Sequence, residues 1–274
     1  MASVVTGAFG YIGKYIARRL LESGEQVRTI TTHINKPNPF GNAVKAFPYS
    51  FDRPERLTES LRGAKVLYNT YWIRFEHGTL TFEKAVENTK ILLGCARKAG
   101  IQKIIHISVT CASPTSSLPY YAGKGLQEIA VAESGIPYTI VRPTLVFGKE
   151  DILVNNIAWL IRKFPAFPIF GSGNYRVQPV FVEDLAKIAL SGASEGTSTS
   201  VDAIGPESFT FKEMVQLIAS RIKPNARLIH VSPRLGIVLG SLIGFALRDR
   251  LLTRDELKGL MDELLTSSQI PNGA

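Results

Sequence analysis

The sequence of 274 residues has little cysteine, little histidine and no apolar run long enough to cross a membrane. Its two cysteines, Cys95 and Cys111, are too few for a disulfide framework, which favours a reducing compartment. The four histidines and two cysteines show no metal-ligand spacing, so no metal site is predicted. The first ten residues, MASVVTGAFG, leave no room for a secretory signal, and a cytoplasmic protein is expected.

The longest apolar stretch covers residues 235–247 and reads LGIVLGSLIGFAL. A membrane span needs about 20 apolar residues, and this stretch is shorter. It is more typical of a helix that covers the core, and peripheral contact with a membrane stays open. No transmembrane segment is therefore predicted.

The net charge of +9 is concentrated in the first half of the chain. Residues 1–150 contain 19 Lys and Arg against 11 Asp and Glu, whereas residues 151–274 contain 13 against 12. Such an excess suits an anionic ligand such as a nucleotide phosphate, or it forms a solvated basic face. Because no run exceeds two adjacent basic residues, we expect a local phosphate site and no nucleic-acid partner.

Strand-like and helix-like segments alternate through the first half of the chain. Strands are predicted at 4–5, 26–31, 44–49, 66–68, 104–109 and 138–141, and helices at 12–21, 55–61, 79–98 and 120–133. This alternation is typical of the α/β class with a doubly wound parallel sheet and helices on both faces.

The rhythm loosens after Pro143, where prolines and glycines accumulate, and helices are expected to dominate from Thr210 onward. We therefore predict a sheet domain over 1–150 and a smaller, mostly helical substrate-binding region over 151–274, partly interleaved with the sheet. Residues 191–200, SGASEGTSTS, are predicted to form a surface loop.

The sharpest motif is the glycine-rich segment TGAFGYIG at residues 6–13, which lies between the first strand and the first helix. Its glycines allow a tight turn and a close approach to a pyrophosphate at the amino end of the helix. The alternative is a tight turn that binds nothing. Its position between a strand and a helix favours the dinucleotide site.

The end of the second strand discriminates between the two nicotinamide dinucleotides. An acidic side chain there would bind the 2′-hydroxyl of NAD, but none occurs between Glu25 and Asp52. Thr32, His33 and Lys36 instead suit the 2′-phosphate of NADP, unless they are only loop residues. NADP is therefore the predicted cofactor, with NAD as the weaker alternative.

A third motif, PYYAGKG, places Tyr120 and Lys124 four residues apart, on one face of a helix. An ammonium near a phenol favours the phenolate, which makes proton exchange feasible near neutrality. The pair could therefore serve as a general acid/base beside a hydride donor. Such a pair is usually structural on its own, and its place downstream of the glycine turn favours the catalytic interpretation.

Together these motifs resemble the short-chain dehydrogenase/reductase superfamily, in its extended and atypical branches. TGAFGYIG is similar to TGxxGxxG and PYYAGKG to the YxxxK helix, while RPTLVFG at 142–148 resembles the RPxxVYG segment that lies along the nicotinamide. QPVFVED at 178–184 and GPESFT at 205–210 resemble later landmarks of these branches. LTRDE at 252–256 is also similar to relatives of the NAD(P)-binding accessory subunit of respiratory complex I.

The resemblance implies a Rossmann fold and assigns roles to residues of this sequence. Gly7, Gly10 and Gly13 would hold the pyrophosphate, Tyr120 would be the acid/base, and Lys124 would bind the nicotinamide ribose. The whole expected cofactor set is Gly7, Phe9, Gly10, Tyr11, Ile12, Thr32, His33, Lys36, Lys124, Pro143 and Val146. The resemblance also allows a homodimer, because the family often pairs through helices that include the YxxxK helix.

The hydroxyl that holds the substrate oxygen has two candidates. The family places a serine or threonine just after the fifth strand, and here Ser108 and Thr110 flank Val109. Alignment with the sugar-nucleotide epimerases selects Thr110, and Ser108 is the alternative.

The residues after the fourth strand depart from the family pattern. Small residues are usual there, whereas this chain has Tyr71 and Trp72. These rings either line a pocket for a flat small-molecule substrate or cap the sheet. Arg176 is a further candidate for an anionic substrate group, although a surface arginine needs no such role.

Two hypotheses follow from the sequence. The first is an NADP-dependent oxidoreductase, or an epimerase/dehydratase that uses the same hydride chemistry. The second is a non-catalytic NAD(P)-binding protein of a larger assembly. An intact Tyr120/Lys124 pair favours the enzyme.

Overall fold

The computed structural model describes residues 1–194, 196–232 and 253–269. Within these ranges the chain divides into two compact units. The first unit comprises Met1–Pro143 and Val182–Ala203. The second comprises Thr144–Phe181 and the described residues from Ile204 onward.

The first unit is built on a parallel sheet of seven strands. The strands, numbered along the whole chain, are β1 (Ala2–Thr6), β2 (Gln26–Thr31), β3 (Val44–Pro48), β4 (Val66–Asn69), β5 (Lys103–Ile107), β6 (Tyr138–Pro143) and β11 (Thr199–Ala203). Their order is β11-β6-β5-β4-β1-β2-β3, and every pair is parallel. The Rossmann-like architecture expected from the alternating pattern is thereby confirmed.

Five helices of the first unit connect these strands. They are α1 (Tyr11–Glu22), α2 (Pro54–Leu61), α3 (Phe82–Ala99), α4 (Pro119–Ala132) and α6 (Val182–Ser191). One apolar cluster includes fully buried side chains of the strands and of α2 and α3, among them Val4, Leu57, Leu67 and Leu92. Gly100, in a left-handed conformation that favours glycine, ends α3.

The chain order reverses direction between β1 and β4, which are neighbours in the sheet. In parallel α/β sheets the carboxyl ends of strands at such a reversal form a ligand-binding crevice. The segments that follow β1, β4 and β5 therefore lie at the edge of the sheet where a ligand is expected.

The last strand of the sheet was not predicted. Strand β11 begins at Thr199, inside the segment 191–200 that was expected to be a surface loop, and pairs with β6 alone. As an edge strand it is only partly buried, and its sequence TSVDA carries little apolar signal. Together with the contact of Glu183 on α6 with Arg19 on α1, this pairing places Val182–Ala203 in the first unit, whose first segment ends at Pro143, whereas the sequence placed the boundary at residue 150 with partial interleaving.

The described part of the second unit combines three helices with six short strands. They are β7 (Leu145–Phe147), α5 (Leu153–Lys163), β8 (Ala166–Phe170), β9 (Arg176–Val177), β10 (Pro179–Phe181), β12 (Phe209–Thr210), α7 (Phe211–Ile222), β13 (Arg227–Val231) and α8 (Arg254–Met261). The strands form three two-stranded sheets. A mostly helical region was predicted here, whereas the described residues contain six strands, two of them, β8 and β13, with five residues each.

The apolar segment 235–247 lies outside the described residues. Among the described helices, none has the length and apolar character that crossing a membrane requires.

Candidate active site

The glycine-rich turn follows directly from β1. The backbone N–H of Gly7 donates to the Ile30 carbonyl at 2.8 Å, and that of Gly10 donates to the Gly7 carbonyl at 2.8 Å. Gly7 has φ +67°, a left-handed conformation that side chains rarely adopt. A Cβ at Gly13 would lie 2.4 Å from the Gly7 carbonyl oxygen, so only glycine lets α1 start this close to the turn.

The amino end of α1 is suited to an anion. Gly10 provides no side-chain cap, and the first turn of the helix contains no acidic residue. Unsatisfied N–H groups at a helix start bind phosphate oxygens. The predicted side chains Phe9, Tyr11 and Ile12 are half-buried around this end. The turn thus has the close backbone approach and the polarity that a dinucleotide pyrophosphate requires.

The end of β2 presents exposed polar side chains. Thr31 is buried and its Oγ1 accepts a hydrogen bond from the His33 N–H at 3.0 Å. Thr32, His33 and Lys36 are exposed in the segment that follows. Strand β2 pairs with β1 in register from Ala2 to Thr6, so this segment lies beside the glycine turn.

The Tyr120/Lys124 pair lies on α4, which begins with proline in its first turn. The side chain of Lys124 is only 3% exposed, and its Nζ donates to the carbonyl of Ile107, the last residue of β5, at 2.9 Å. Burial lowers the pKa of Lys124 from its usual 10.5 to about 7, and the charge of Glu128 opposes that shift. A lysine that titrates near neutrality is typical of functional sites.

Aromatic rings surround this pair. Trp72 and Phe82 stack with centroids 5.5 Å apart, and the half-buried Tyr120 packs edge to face against both. The Lys124 ammonium lies 5.0 Å from the centroid of the Trp72 ring. Trp72 therefore lies next to the predicted catalytic pair, as its candidate role in the site requires.

Tyr71 occupies a different environment. It is 8% exposed and packs against Tyr49 and Phe51, at 5.0 and 5.3 Å between centroids. Its hydroxyl accepts a hydrogen bond from Nδ2 of Asn88 at 2.9 Å. For Tyr71 the structure supports the interpretation that the ring caps the sheet, since its apolar face is already covered.

The hydroxyl of Ser108 is engaged in a buried network. Its Oγ donates to Oε1 of Glu128 at 2.5 Å, and Arg142 donates to both oxygens of the same carboxylate, at 2.9 and 2.6 Å. This fork geometry is the strongest form of such a pair. The network joins the residue after β5 to α4 and β6, and it was not predicted from the sequence.

Thr110 is the second candidate hydroxyl. It is 1% exposed, and its backbone N–H donates to the Pro143 carbonyl at 3.0 Å. Its Oγ1 lies 3.5 Å from the same carbonyl, at the limit of a hydrogen bond. Cys111 follows with φ +58°, an uncommon conformation for a side-chain-bearing residue.

His106 is a core residue. It is fully buried, and its Nδ1 faces Nδ2 of Asn69 at 3.1 Å. Because Asn69 Nδ2 can only donate, Nδ1 accepts and the ring is neutral. Burial, reinforced by the charge of Lys124, holds the pKa of His106 well below 6.5.

Two predicted residues belong to the second unit. Val146 lies in β7 and pairs with Val180. Arg176 is exposed, and its guanidinium donates to Oγ and the carbonyl of Ser208 at 3.2 and 3.3 Å. Their predicted contacts with cofactor and substrate stay predictions. No cluster of three or more His, Cys, Asp or Glu side chains able to hold a metal occurs among residues 1–194, 196–232 and 253–269.

Residues 3–199 match the model of the NAD dependent epimerase/dehydratase family. The chain belongs to this family. In this epimerase/dehydratase chain the glycine turn and the Tyr120/Lys124 helix both fall within the matched region, which confirms the resemblance seen in the sequence.

Two curated relatives carry respiratory names. NADH dehydrogenase (ubiquinone) 1 alpha subcomplex subunit 9, mitochondrial, of Arabidopsis thaliana is 26% identical over 235 residues, which are 81% of this chain and 58% of that protein. The mitochondrial NADH-ubiquinone oxidoreductase 40 kDa subunit of Neurospora crassa is 24% identical over 264 residues, 93% of this chain and 69% of that one. The chain therefore spans less than two thirds of the Arabidopsis relative.

Two solved structures of similar fold are of sugar-nucleotide epimerases. A nucleoside-diphosphate-sugar epimerase from Staphylococcus aureus has a TM-score of 0.75 at 18% identity, over 100% of this chain and 98% of that one. UDP-glucose 4-epimerase from Thermus thermophilus, in complex with NAD, has a TM-score of 0.72 at 19% identity, over 96% and 99%. At such identities the likeness concerns the fold alone.

Proposed function

We propose that this epimerase/dehydratase-family protein is an NADP-dependent oxidoreductase that transfers a hydride at a substrate hydroxyl or carbonyl carbon. The observation that carries the proposal is the Tyr120/Lys124 pair, whose lysine is buried and fixed on the Ile107 carbonyl. A purely structural nucleotide site needs no buried lysine beside a half-buried tyrosine. An epimerase or dehydratase would use the same residues.

The choice of NADP rests on the segment after β2. Thr32, His33 and Lys36 are exposed there, and no acidic residue is available for a ribose 2′-hydroxyl. A cation and hydroxyls favour a 2′-phosphate. The glycine turn and the uncapped start of α1 would hold the pyrophosphate of the same cofactor.

When bound, the nicotinamide ring supplies or accepts a hydride. Tyr120 would exchange a proton with the substrate oxygen, and the Lys124 ammonium would favour the phenolate form of Tyr120. Thr110 would orient that oxygen. Ser108 is less suited to this role because its hydroxyl already donates to Glu128.

The test compares wild type with Tyr120→Phe. NADPH oxidation is followed with 4-nitrobenzaldehyde, cyclohexanone and menadione as carbonyl probes, and NADPH and NADH binding by nicotinamide fluorescence. Tyr120→Phe should lower kcat at least 100-fold and leave the NADPH Kd within about twofold, since removal of a general acid/base typically costs 10²–10⁴. Unchanged turnover in Tyr120→Phe would refute the assignment.

The second candidate function is a non-catalytic nucleotide-binding subunit, which the names of the two respiratory relatives favour. The exchange rate of bound NADPH separates the two. A reductase must renew its cofactor in every turnover, so exchange within seconds supports it. Retention for hours together with no turnover of any probe supports the structural role.

A further inference from the structure

The indole of Trp72 contacts both members of the predicted catalytic pair. Its ring lies 5.9 Å from that of Tyr120, edge to face, and 5.0 Å below the Lys124 ammonium. Phe82 of α3 stacks on it with an interplanar angle of 18°. Trp72 thus links the end of β4 and the start of α3 to the helix that carries the chemistry.

This approach depends on Gly123, the residue just before Lys124. A Cβ at position 123 would lie 2.5 Å from Cη2 of Trp72 and 3.1 Å from Cζ2. Contacts below 3.0 Å are not tolerated, so any other residue would displace the indole from the helix. Gly123 is therefore the small residue that admits Trp72 between the two elements.

The backbone leading into Trp72 is fixed at both of its polar groups. The N–H of Tyr71 donates to Oδ1 of Asn69 at 3.1 Å, and its carbonyl accepts from Nε2 of Gln127 at 3.2 Å. Gln127 lies on α4 and also donates to Thr89 of α3 at 2.6 Å. The position of the indole is therefore set by α3 and α4 together.

Trp72 does not owe its place to a hydrogen bond of its own. Its buried Nε1–H has no acceptor among the described residues. Because buried tryptophans usually find a partner for this group, the contacts of the ring must account for its position.

We propose that Trp72 is a positioning residue, which holds the Lys124 ammonium and the Tyr120 ring in their working places, and that Gly123 is required for it. The inference rests on the proposed oxidoreductase function. The negative face of an indole attracts an ammonium, more strongly where water is excluded. Trp72 thereby keeps a buried lysine charged where burial alone would discharge it.

The surroundings of Lys124 allow its protonation to be followed. The groups that face it are Glu128 and Tyr120 on α4, His106 on β5 and Trp72 after β4, with Arg142 of β6 paired to Glu128. The pKa of His106 lies well below 6.5, whereas that of Lys124 lies at about 7. A titration near neutrality at this place therefore belongs to Lys124.

The first experiment needs neither nucleotide nor substrate. The chain has two tryptophans, so Trp159→Phe leaves Trp72 as the only tryptophan, whose emission is excited selectively over that of tyrosine. Its emission is recorded from pH 5.5 to 9. We expect an inflection near pH 7 that disappears in Lys124→Met and persists in Lys187→Met, an exposed lysine paired with Asp184. Absence of the inflection, or its survival in Lys124→Met, would overturn the contact.

The second experiment measures the consequence for the reaction. Trp72→Leu should lower kcat about tenfold with less than twofold change in the KM of the carbonyl probe. Since it loses the attraction of the ring, the alkaline decline of kcat/KM should move to lower pH by about one unit. Trp72→Phe, which keeps a ring, should restore at least half of both effects. The proposed role of Trp72 would be refuted if Trp72→Leu left kcat unchanged and left the pH at which kcat/KM declines unchanged or raised.

Gly123→Ala provides an independent variant in case Trp72→Leu does not fold. It should displace the indole, shift the Trp72 emission and lower kcat. Gly94→Ala on α3, where a Cβ meets nothing within 4 Å, is the matched control and should change neither. If the wild-type protein reduces none of the three carbonyl probes, the proposed function and the role of Trp72 in it fail together. The emission titration still tests the contact between Trp72 and Lys124.

Discussion

The two ends of the expected nucleotide site in the first unit are built by opposite means. The glycine turn is made by the backbone of one continuous stretch, in which Gly13 lies against the Gly7 carbonyl. The Tyr120/Lys124 end is made by side chains that come from β4, α3, β5, α4 and β6. The glycine turn depends on the absence of a Cβ at its close contact. The Tyr120/Lys124 end depends on contacts among aromatic and charged side chains.

The two ends also treat charge differently. Lys36 stands in solvent beside the glycine turn, whereas Lys124 is 3% exposed and depends on one carbonyl, one indole and the charge of Glu128. Burying a charge costs stability unless it is well compensated. The exposed lysine at the binding end therefore costs the fold little stability. The buried lysine at the catalytic end lowers the stability of the fold.

The largest effect is expected where the backbone approach is closest. Gly13→Ala puts a methyl group 2.4 Å from the Gly7 carbonyl oxygen, so the turn must shift. We expect the free energy of unfolding, measured by urea denaturation, to fall by about 2 to 3 kcal/mol. The NADPH Kd should rise at least 100-fold. Gly94→Ala, with open space around its Cβ, should instead stabilise the fold by about 1 kcal/mol. Unimpaired NADPH binding by Gly13→Ala would break the comparison.

A smaller effect tests how much the burial of Lys124 lowers the stability of the fold. The pKa of Lys124 is about 7 in the folded chain and about 10.4 when unfolded, so between these values the unfolded chain binds more protons. Stability from this group therefore rises with pH across that window, by about 1.4 kcal/mol per pH unit. Lys124→Met should lack this slope. Chemical denaturation of both proteins at pH 7, 8 and 9 gives the free energy of unfolding at each pH. The same pH dependence in both proteins would show that folding does not lower the pKa of Lys124.

The smallest effect belongs to the exposed cation. Lys36→Met should weaken NADPH binding about tenfold and leave NADH binding within twofold, because only NADPH carries the 2′-phosphate. The stability of the fold should not change, since Lys36 is exposed. Fluorescence titrations with both nucleotides at low and high salt provide the measurement. Equal loss for the two nucleotides would contradict the NADP assignment.

The sequence predicted the strands and helices that carry a clear period or a glycine signal. Strand β2 agrees residue for residue, and α4 begins within one residue of its prediction. Strand β11 was not predicted because it is a half-buried edge strand whose sequence mixes polar and apolar residues. The exact domain boundary was not predicted either, since both the pairing of β11 with β6 and the contact of Glu183 on α6 with Arg19 on α1 place Val182–Ala203 in the first unit.

The candidate site divides in the same way. The glycines, Tyr120 and Lys124 could be found in the sequence because their spacing along the chain creates the geometry. The environment of Lys124 could not, since Trp72 precedes it by more than fifty residues and Ile107 by seventeen. The two interpretations of Tyr71 and Trp72 could not be separated either, because adjacent residues of one loop are directed to different surroundings.

By itself, the sequence determined the parallel sheet, the family and the chemistry of the glycine turn, because these depend on local propensity and on fixed spacings. Only the tertiary structure decided that Ser108 donates a hydrogen bond to Glu128, that the Tyr71 ring packs against Tyr49, and that the buried Lys124 ammonium lies over the Trp72 ring. The physical reason is that burial and electrostatic environment are properties of neighbours in space, which a linear order of residues does not contain.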